Sequence, residues 1–201
     1  MKLTKNEQKK QKDALKQFQR YLPTLQLKKQ QLLIVIREAV AELDRLEEEK
    51  RKAISGLDSF IAVYGGNALF APEKSIINLL KVKEIKRSYQ NVAGVKVPVF
   101  ESLEFEDIKY DLWEYPFWVD GALMALRDMA KYDALILTQK EKIRLLENEM
   151  RTTSQRVNLF EKVKIPEAKE NIRVIGIYLQ DQQTSAVVRG KIAKKKLVKA
   201  G

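Results

Sequence analysis

The chain has no cysteine and no histidine among its 201 residues. Without cysteine there are no disulfides, zinc fingers, iron–sulfur clusters or thiol nucleophiles. Without histidine the usual general base, the Ser–His–Asp triad and the commonest metal ligand are gone. Aromatics make up 8% and charged residues 32%, a mix normal for a long-helix protein and lean for a compact core. No apolar run approaches the ~18 residues that cross a bilayer. The N-terminus is basic and then stays polar, with no apolar stretch of the kind a signal peptide needs. The expectation is a cytosolic chain without membrane insertion, built as one domain or as one elongated element with an insertion.

Charge is what the sequence has in excess: 38 Lys+Arg against 27 Asp+Glu, a net of +11. Residues 1–29 hold nine cations and two acids, and residues 182–201 hold six cations and no acid. These ends carry +7 and +6, so the body between them is close to neutral. Such runs are either solvated, frayed ends or two surfaces for one acidic partner.

Residues 1–66 read as one helix. Leu25, Lys29, Leu32, Ile36, Ala39, Leu43, Leu46, Lys50, Ala53, Leu57, Phe60 and Tyr64 follow alternating steps of four and three, and ten of the twelve are apolar. That is the seam of a coiled coil, whose 3.5-residue period keeps one stripe facing a partner helix. Arg37, Asp44, Arg45, Glu48 and Arg51 fall on the opposite face. Gly65–Gly66 with Asn67 is a stop signal. A helix of about 60 residues is roughly 90 Å long, so a rod is expected. Pro23 removes one backbone donor and should bend the helix.

Residues 67–115 differ. Val95, Val97 and Val99 alternate with polar or proline neighbours, a period of two. The segment predicts a β-hairpin over about 80–105, with strands at 80–90 and 95–105 and a four-residue turn Asn91–Gly94. Pro98 cannot donate to a ladder, so its strand is an edge or carries a bulge. Trp113, Tyr115, Phe117 and Trp118 crowd behind the hairpin. They form either a small core that locks it down or a hot spot for a partner.

Residues 116–201 read as a second long helix, with Pro116 at its first position. Val119, Ala122, Leu123, Leu126, Met129, Ala130 and Leu137 recur at helical spacing, followed by Ile143, Leu146, Met150, Thr153, Val157 and Phe160. Pro166 interrupts, and Ile172, Ile175 and Leu179 resume the pattern, so a kink is expected there. The fold class is mainly α: a long antiparallel two-helix coiled coil with a small middle region containing a β-hairpin. Antiparallel pairing would lay residues 1–30 beside 170–201 and gather the two basic runs at one tip.

No catalytic constellation is present. Gly65–Gly66 lacks the Lys-Ser/Thr of a phosphate loop. Glu47, Glu48 and Glu49 are consecutive helix positions about 100° apart, so they cannot converge on one metal. Glu101, Glu104, Glu106 and Asp107 could attract a basic partner but lack paired acid–base logic. No catalytic, metal or cofactor residues are assigned.

Three segments carry a resemblance. They are Leu3-Thr4-Lys5-Asn6, Tyr21-Leu22-Pro23-Thr24-Leu25-Gln26-Leu27-Lys28-Lys29, and Arg156-Val157-Asn158-Leu159-Phe160-Glu161 followed by Ile165-Pro166. Together they resemble the D subunit of the V-type (vacuolar/archaeal-type) ATPases and ATP synthases, in its bacterial branch. The motif residues Arg156, Val157, Asn158, Leu159, Glu161, Ile165 and Pro166 are its most specific part. The resemblance implies a central-stalk rotor shaft that couples ATP synthesis or hydrolysis to ion transport and has no nucleotide site of its own. Its implied partners are the A- and B-type nucleotide-binding ring subunits, the small F-type stalk subunit and the adaptor on the membrane rotor. It implies a cytoplasmic place, peripheral on the inner face of the cell membrane. Lys5, Lys9, Lys10, Lys191, Lys194, Lys195 and Lys196 are the expected ring contacts. Val95, Val97, Val99, Phe100 and Trp113 are the expected stalk-partner contacts.

Two other readings compete. A nucleic-acid or acidic-surface binder would use the basic tip, but the first 29 residues hold only Phe18 and Tyr21 as aromatics and 182–201 hold none, so there is no stacking platform. A coiled-coil scaffold or export chaperone would share the shape without the motor.

Overall fold

A computed structural model of the chain describes residues 2–65, 76–106, 108, 110, 111, 113, 115 and 118–200, with backbone alone for 58–65, 76–77 and 197–200. The seam side chains Phe60 and Tyr64, the Gly66–Asn67 stop, Asp107, Pro116 and Phe117 lie outside the described residues. Helix α1 spans Lys5–Gly65, a 3-10 turn Ile76–Leu79, β1 Val82–Val92, β2 Val95–Phe105, α2 Val119–Leu159, a π turn Phe160–Lys164, and α3 Ile165–Ala200. The chain divides into two compact units: residues 1–30 with 151–201, and residues 31–150.

In the first unit α1 opens on an N-cap threonine. Thr4 Oγ1 accepts from the Glu7 N–H at 3.3 Å, satisfying one donor that a helix start leaves open. The helices run antiparallel. A Cβ on Gly176 would lie 3.4 Å from the Gln8 side chain. Asn171 Nδ2 donates to Gln11 Oε1 at 3.5 Å. Phe18 stacks on Phe160 with ring centroids 5.3 Å apart. Thr153, Val157, Ala168 and Ile175 are buried on the C-terminal side of this pair. Pro23 sits inside α1, which stays helical through it.

At Pro166, where a kink was expected, the helix shows a wide turn. Pro166 has no N–H to give the carbonyl four residues back, and its ring crowds that carbonyl. The helix widens by one residue just before it, so the Ile165 N–H reaches the Phe160 carbonyl instead. No non-helical residue separates α2 from α3.

In the second unit the α1 seam holds wherever side chains are described. Leu32, Ala39 and Leu46 are buried, and Ile36, Leu43, Lys50, Ala53 and Leu57 are half-buried. Lys140 pairs with Glu47 at 2.9 Å and Lys50 with Asp133 at 2.5 Å across to α2, again antiparallel. Gln139 Nε2 donates to the Ala39 carbonyl at 2.8 Å. Leu137 departs from the predicted seam and is exposed, while Ala134, Ile136 and Thr138 are buried. Thr138 meets its hydroxyl's need by donating to the Ala134 carbonyl at 2.7 Å.

The hairpin forms with a tighter turn than expected. β1 and β2 pair up to Val92↔Val95, so only Ala93 and Gly94 lie in the turn, and Asn91 and Val92 belong to the strand. Both turn residues have positive φ, 51° and 81°. This is the mirror-image two-residue turn whose twist matches that of paired strands. Extra residues at Lys83 and Glu101 interrupt the ladder register. The tip closes on the helices: Val97 and Leu32 and Leu146 have no exposed surface and form one cluster, with Val92, Ala93 and Val95 packed against it. Burial of this apolar tip drives the tight turn. A second cluster of Leu79, Val119 and Leu123 is covered by Tyr110, Tyr115 and Trp118.

Candidate functional site

The described residues hold no group of three Asp or Glu side chains able to take a metal ion. The acidic triplet shows why. Glu47 turns to Lys140, Glu48 to Arg51 and Glu49 to Arg45 at 3.2 Å. Near the hairpin, Glu104 is paired with Lys86. The Lys140 ammonium donates to Glu47 and holds its carboxyl below the usual range, with added attraction from the charge. Lys86 does the same for Glu104, and Arg144 for Glu141. These carboxylates are structural partners on an exposed surface.

The candidate docking surfaces are two. The first is the basic end of the first unit. Lys5, Lys9, Lys10, Lys191, Lys194, Lys195 and Lys196 are all exposed, and none has an ion-pair partner among the described residues. Lys5, Lys9, Lys12 and Lys16, spaced four, three and four, line one shallow groove with Gln8 and Gln19. That spacing puts four cations on one face of α1.

The two basic runs do not lie side by side as expected. Gln8 already stands against Gly176, so α3 continues 24 residues past that level while α1 has three. Every residue from Asp181 to Lys196 is exposed. The C-terminal run therefore extends beyond the N-terminal one. It carries Val187, Val188 and Ile192 in the open at 49–58% exposure, beside Arg189 and Lys191.

The second surface is the hairpin side of the second unit. Of the residues expected to meet a stalk partner, Val97 is fully buried, and Val95, Val99 and Phe100 are half-buried. Val97 thus holds the hairpin onto the helices and has no surface to offer. Trp113 is 97% exposed, so it is not part of the core that Tyr115 and Trp118 join. Several exposed residues here escaped the sequence reading. Tyr89 is exposed with the Lys96 ammonium 4.7 Å from its ring centre. Met124 and Leu137 are exposed, and Leu137 borders a cleft with Arg87, Tyr89, Pro98, Glu141 and Leu145. The run Leu135-Ile136-Leu137 was the available signal: three consecutive apolar residues on a helix cannot all face one seam.

The motif segment straddles the π turn. Val157 is buried and Phe160 is half-buried on Phe18, while Arg156, Asn158, Leu159, Glu161 and Pro166 are exposed and Ile165 is half-buried.

Comparison with known proteins decides the family. The model of the family described as the D subunit of ATP synthase matches residues 7–195. The chain belongs to the ATP synthase D-subunit family. It is 49% identical over 201 residues to the V-type ATP synthase D subunit of Borreliella burgdorferi, covering 99% of this chain and 96% of the relative. It is 34% identical to the protein of the same name in Chlamydia abortus, covering 98% and 93%. The match spans both units. Among the described residues, no helix is long and apolar enough to cross a membrane.

Proposed function

We propose that the chain is the central-stalk rotor shaft of a V-type rotary ATPase or ATP synthase. It has no catalytic site of its own and couples the nucleotide-binding ring to the membrane rotor. The observation that carries this reading is the end of α3: sixteen consecutive exposed residues, cationic and partly apolar, beyond the level where α1 begins. A helix left uncovered with such residues is built to be surrounded by other subunits. Unpaired lysines beside exposed valines suit a ring that attracts the end by charge and seats it by contact. A pair of unlike helices offers different contacts in each orientation, the requirement for biasing each ring site in turn. The hairpin side, with Trp113, Tyr89 and Met124, is the surface for the small stalk subunit and the rotor adaptor. In this reading the complex lies on the inner face of the cell membrane and the shaft enters no lipid. A nucleic-acid role loses one of its few stacking groups, because Phe18 is occupied by Phe160.

Two measurements test it. Affinity capture of tagged chain from its own cells should bring down nucleotide-binding ring subunits and a small partner, and capture of neither would overturn the shaft reading. Replacing Lys191, Lys194, Lys195 and Lys196 together by Gln should weaken assembly with the ring at low salt, and the difference should shrink as salt screens it. Unchanged assembly and unchanged ATPase coupling would overturn the electrostatic part.

A further inference from the structure

The seam of the C-terminal helices contains one residue too many. Thr153, Val157, Phe160 and Lys164 follow steps of four, three and four, all buried or half-buried. The next seam position should be Glu167, which is exposed; the buried residue is Ala168. From there Ile172, Ile175 and Leu179 continue the stripe. A surplus residue in a helix either rotates everything after it by about 100° or is absorbed as a wide turn. Here it is absorbed at Phe160–Lys164, and both flanks keep facing α1.

The surroundings of that turn are soft. None of its five residues is buried. Beside it lies an open cleft bordered by Gln11, Ala14, Phe18, Lys164, Ala168 and Asn171. The polar contact across this layer is the long 3.5 Å bond between Asn171 and Gln11. Pro166 withholds a backbone donor on one helix. On the other, Pro23 withholds one five residues from Phe18. The two prolines flank the Phe18–Phe160 stack, Pro166 on the side of the wide turn and Pro23 on the other.

We propose that the π turn Phe160–Lys164, with Pro166 and the facing Ala14–Phe18 stretch, is a built-in flexure at which α3 twists and bends against α1. The flexure is a property of the free chain. Only its use, yielding elastically while the shaft is driven, rests on the proposed function.

Hydrogen exchange of the free full-length chain tests it. Amides at 163–165 and 167–168 should exchange about tenfold or more faster than those at 143–150, as local opening requires. Deleting Val163 together with Pro166→Ala removes the surplus residue and the proline. The spacing from Phe160 to the present Ala168 then falls from eight residues to the seven of one heptad, so the variant should fold, keep or raise its thermal midpoint, and bring the fast amides to within about threefold of their neighbours. Deleting Arg151, in the regular part of α2, should lower the midpoint sharply because it rotates every later seam residue out of register. Pro166→Ala alone should fold and leave the fast exchange largely in place, since the surplus residue remains.

Uniform exchange in the native chain would overturn the proposal. So would a Val163 deletion as damaging as that of Arg151, or a Pro166→Ala variant that abolishes the fast exchange by itself. None of these outcomes bears on whether a ring binds the shaft, and failed capture of a ring leaves the flexure standing.

Discussion

The two units use the same periodic seam and reach different packing. In residues 31–150 three side chains, Leu32, Val97 and Leu146, meet with no exposed surface, and among the described residues two ion pairs bridge α1 and α2. In the other unit no residue of α1 from 5 to 30 is buried. There the buried side chains, Thr153, Val157, Ala168 and Ile175, all belong to the C-terminal helices, the described side-chain contacts to α1 include a ring stack and a long amide bond, and the described ion pairs, Lys164–Glu167 and Arg173–Glu170, stay within the C-terminal helices. The hairpin makes the difference. Two helices alone shield a narrow stripe, and a third element covers what the stripe leaves open. Cations follow the same division. Those on the tightly packed helices are largely paired within the chain, and those at the basic end point outward.

The widest gap should appear on truncating one seam residue in each unit. Leu146→Ala should cost about 2–5 kcal/mol by urea denaturation, because it empties a site that cannot collapse around the hairpin. Phe160→Ala should cost about 1–2 kcal/mol, since the ring is half-buried and part of its area already faces water. A larger loss at Phe160 than at Leu146 would break the contrast.

A smaller effect should separate the hairpin's contribution from that of the helices. Gly94 has φ of 81°, where an added Cβ crowds the backbone. Gly94→Ala should destabilise by about 1–2 kcal/mol. The loss should show as faster amide exchange at Val92–Val97 and Leu146, with residues 8–18 and 168–176 unchanged. Equal loosening of both groups would mean that the hairpin is not what tightens its unit.

How much of this was legible beforehand follows physical lines. The α1 seam from Leu25 to Leu57 was readable because a 3.5 period has one solution: a long helix with one buried stripe. The hairpin was readable from the alternation of Val95, Val97 and Val99. Its turn was not, because Ala93 is an ordinary helix former whose positive φ is imposed by burial of the tip between Leu32 and Leu146. Leu137 was misplaced because α2 is covered on two sides, and a single-stripe pattern cannot express that. The docking residues were only partly legible. Composition located the lysines of both ends, but whether the ends overlap depends on the stagger set by Gln8 and Gly176. Val97 and Trp113 were both expected to meet a partner, and Val97 is buried while Trp113 is exposed, since apolar character alone does not say which side of a strand or loop the chain will cover. The surplus residue was present in the spacing from Phe160 to Ala168 and becomes visible once Ala168 is known to be buried.

The smallest effect concerns charge and pH. Glu47 and Glu170 are both held below the usual carboxylate range by a cation that donates to them, Lys140 and Arg173 respectively. A carboxyl depressed in the folded state adds stability above its unfolded value, about pH 4, and loses it as pH falls through the folded one. Lys140 reaches Glu47 from another helix, so that bond requires the fold. Arg173 is three residues from Glu170 in the same helix, and such a pair persists wherever the local helix survives. Glu47→Gln should therefore lower the urea midpoint slightly at pH 7, slightly because both partners are exposed, and the difference from the native chain should vanish toward pH 3. Glu170→Gln should show a smaller difference at pH 7 and a flatter approach to zero. If Glu170→Gln proved the more acid-sensitive of the two, the first unit would owe more of its cohesion to charge than the second, and the division drawn from the ion pairs would have to be reversed.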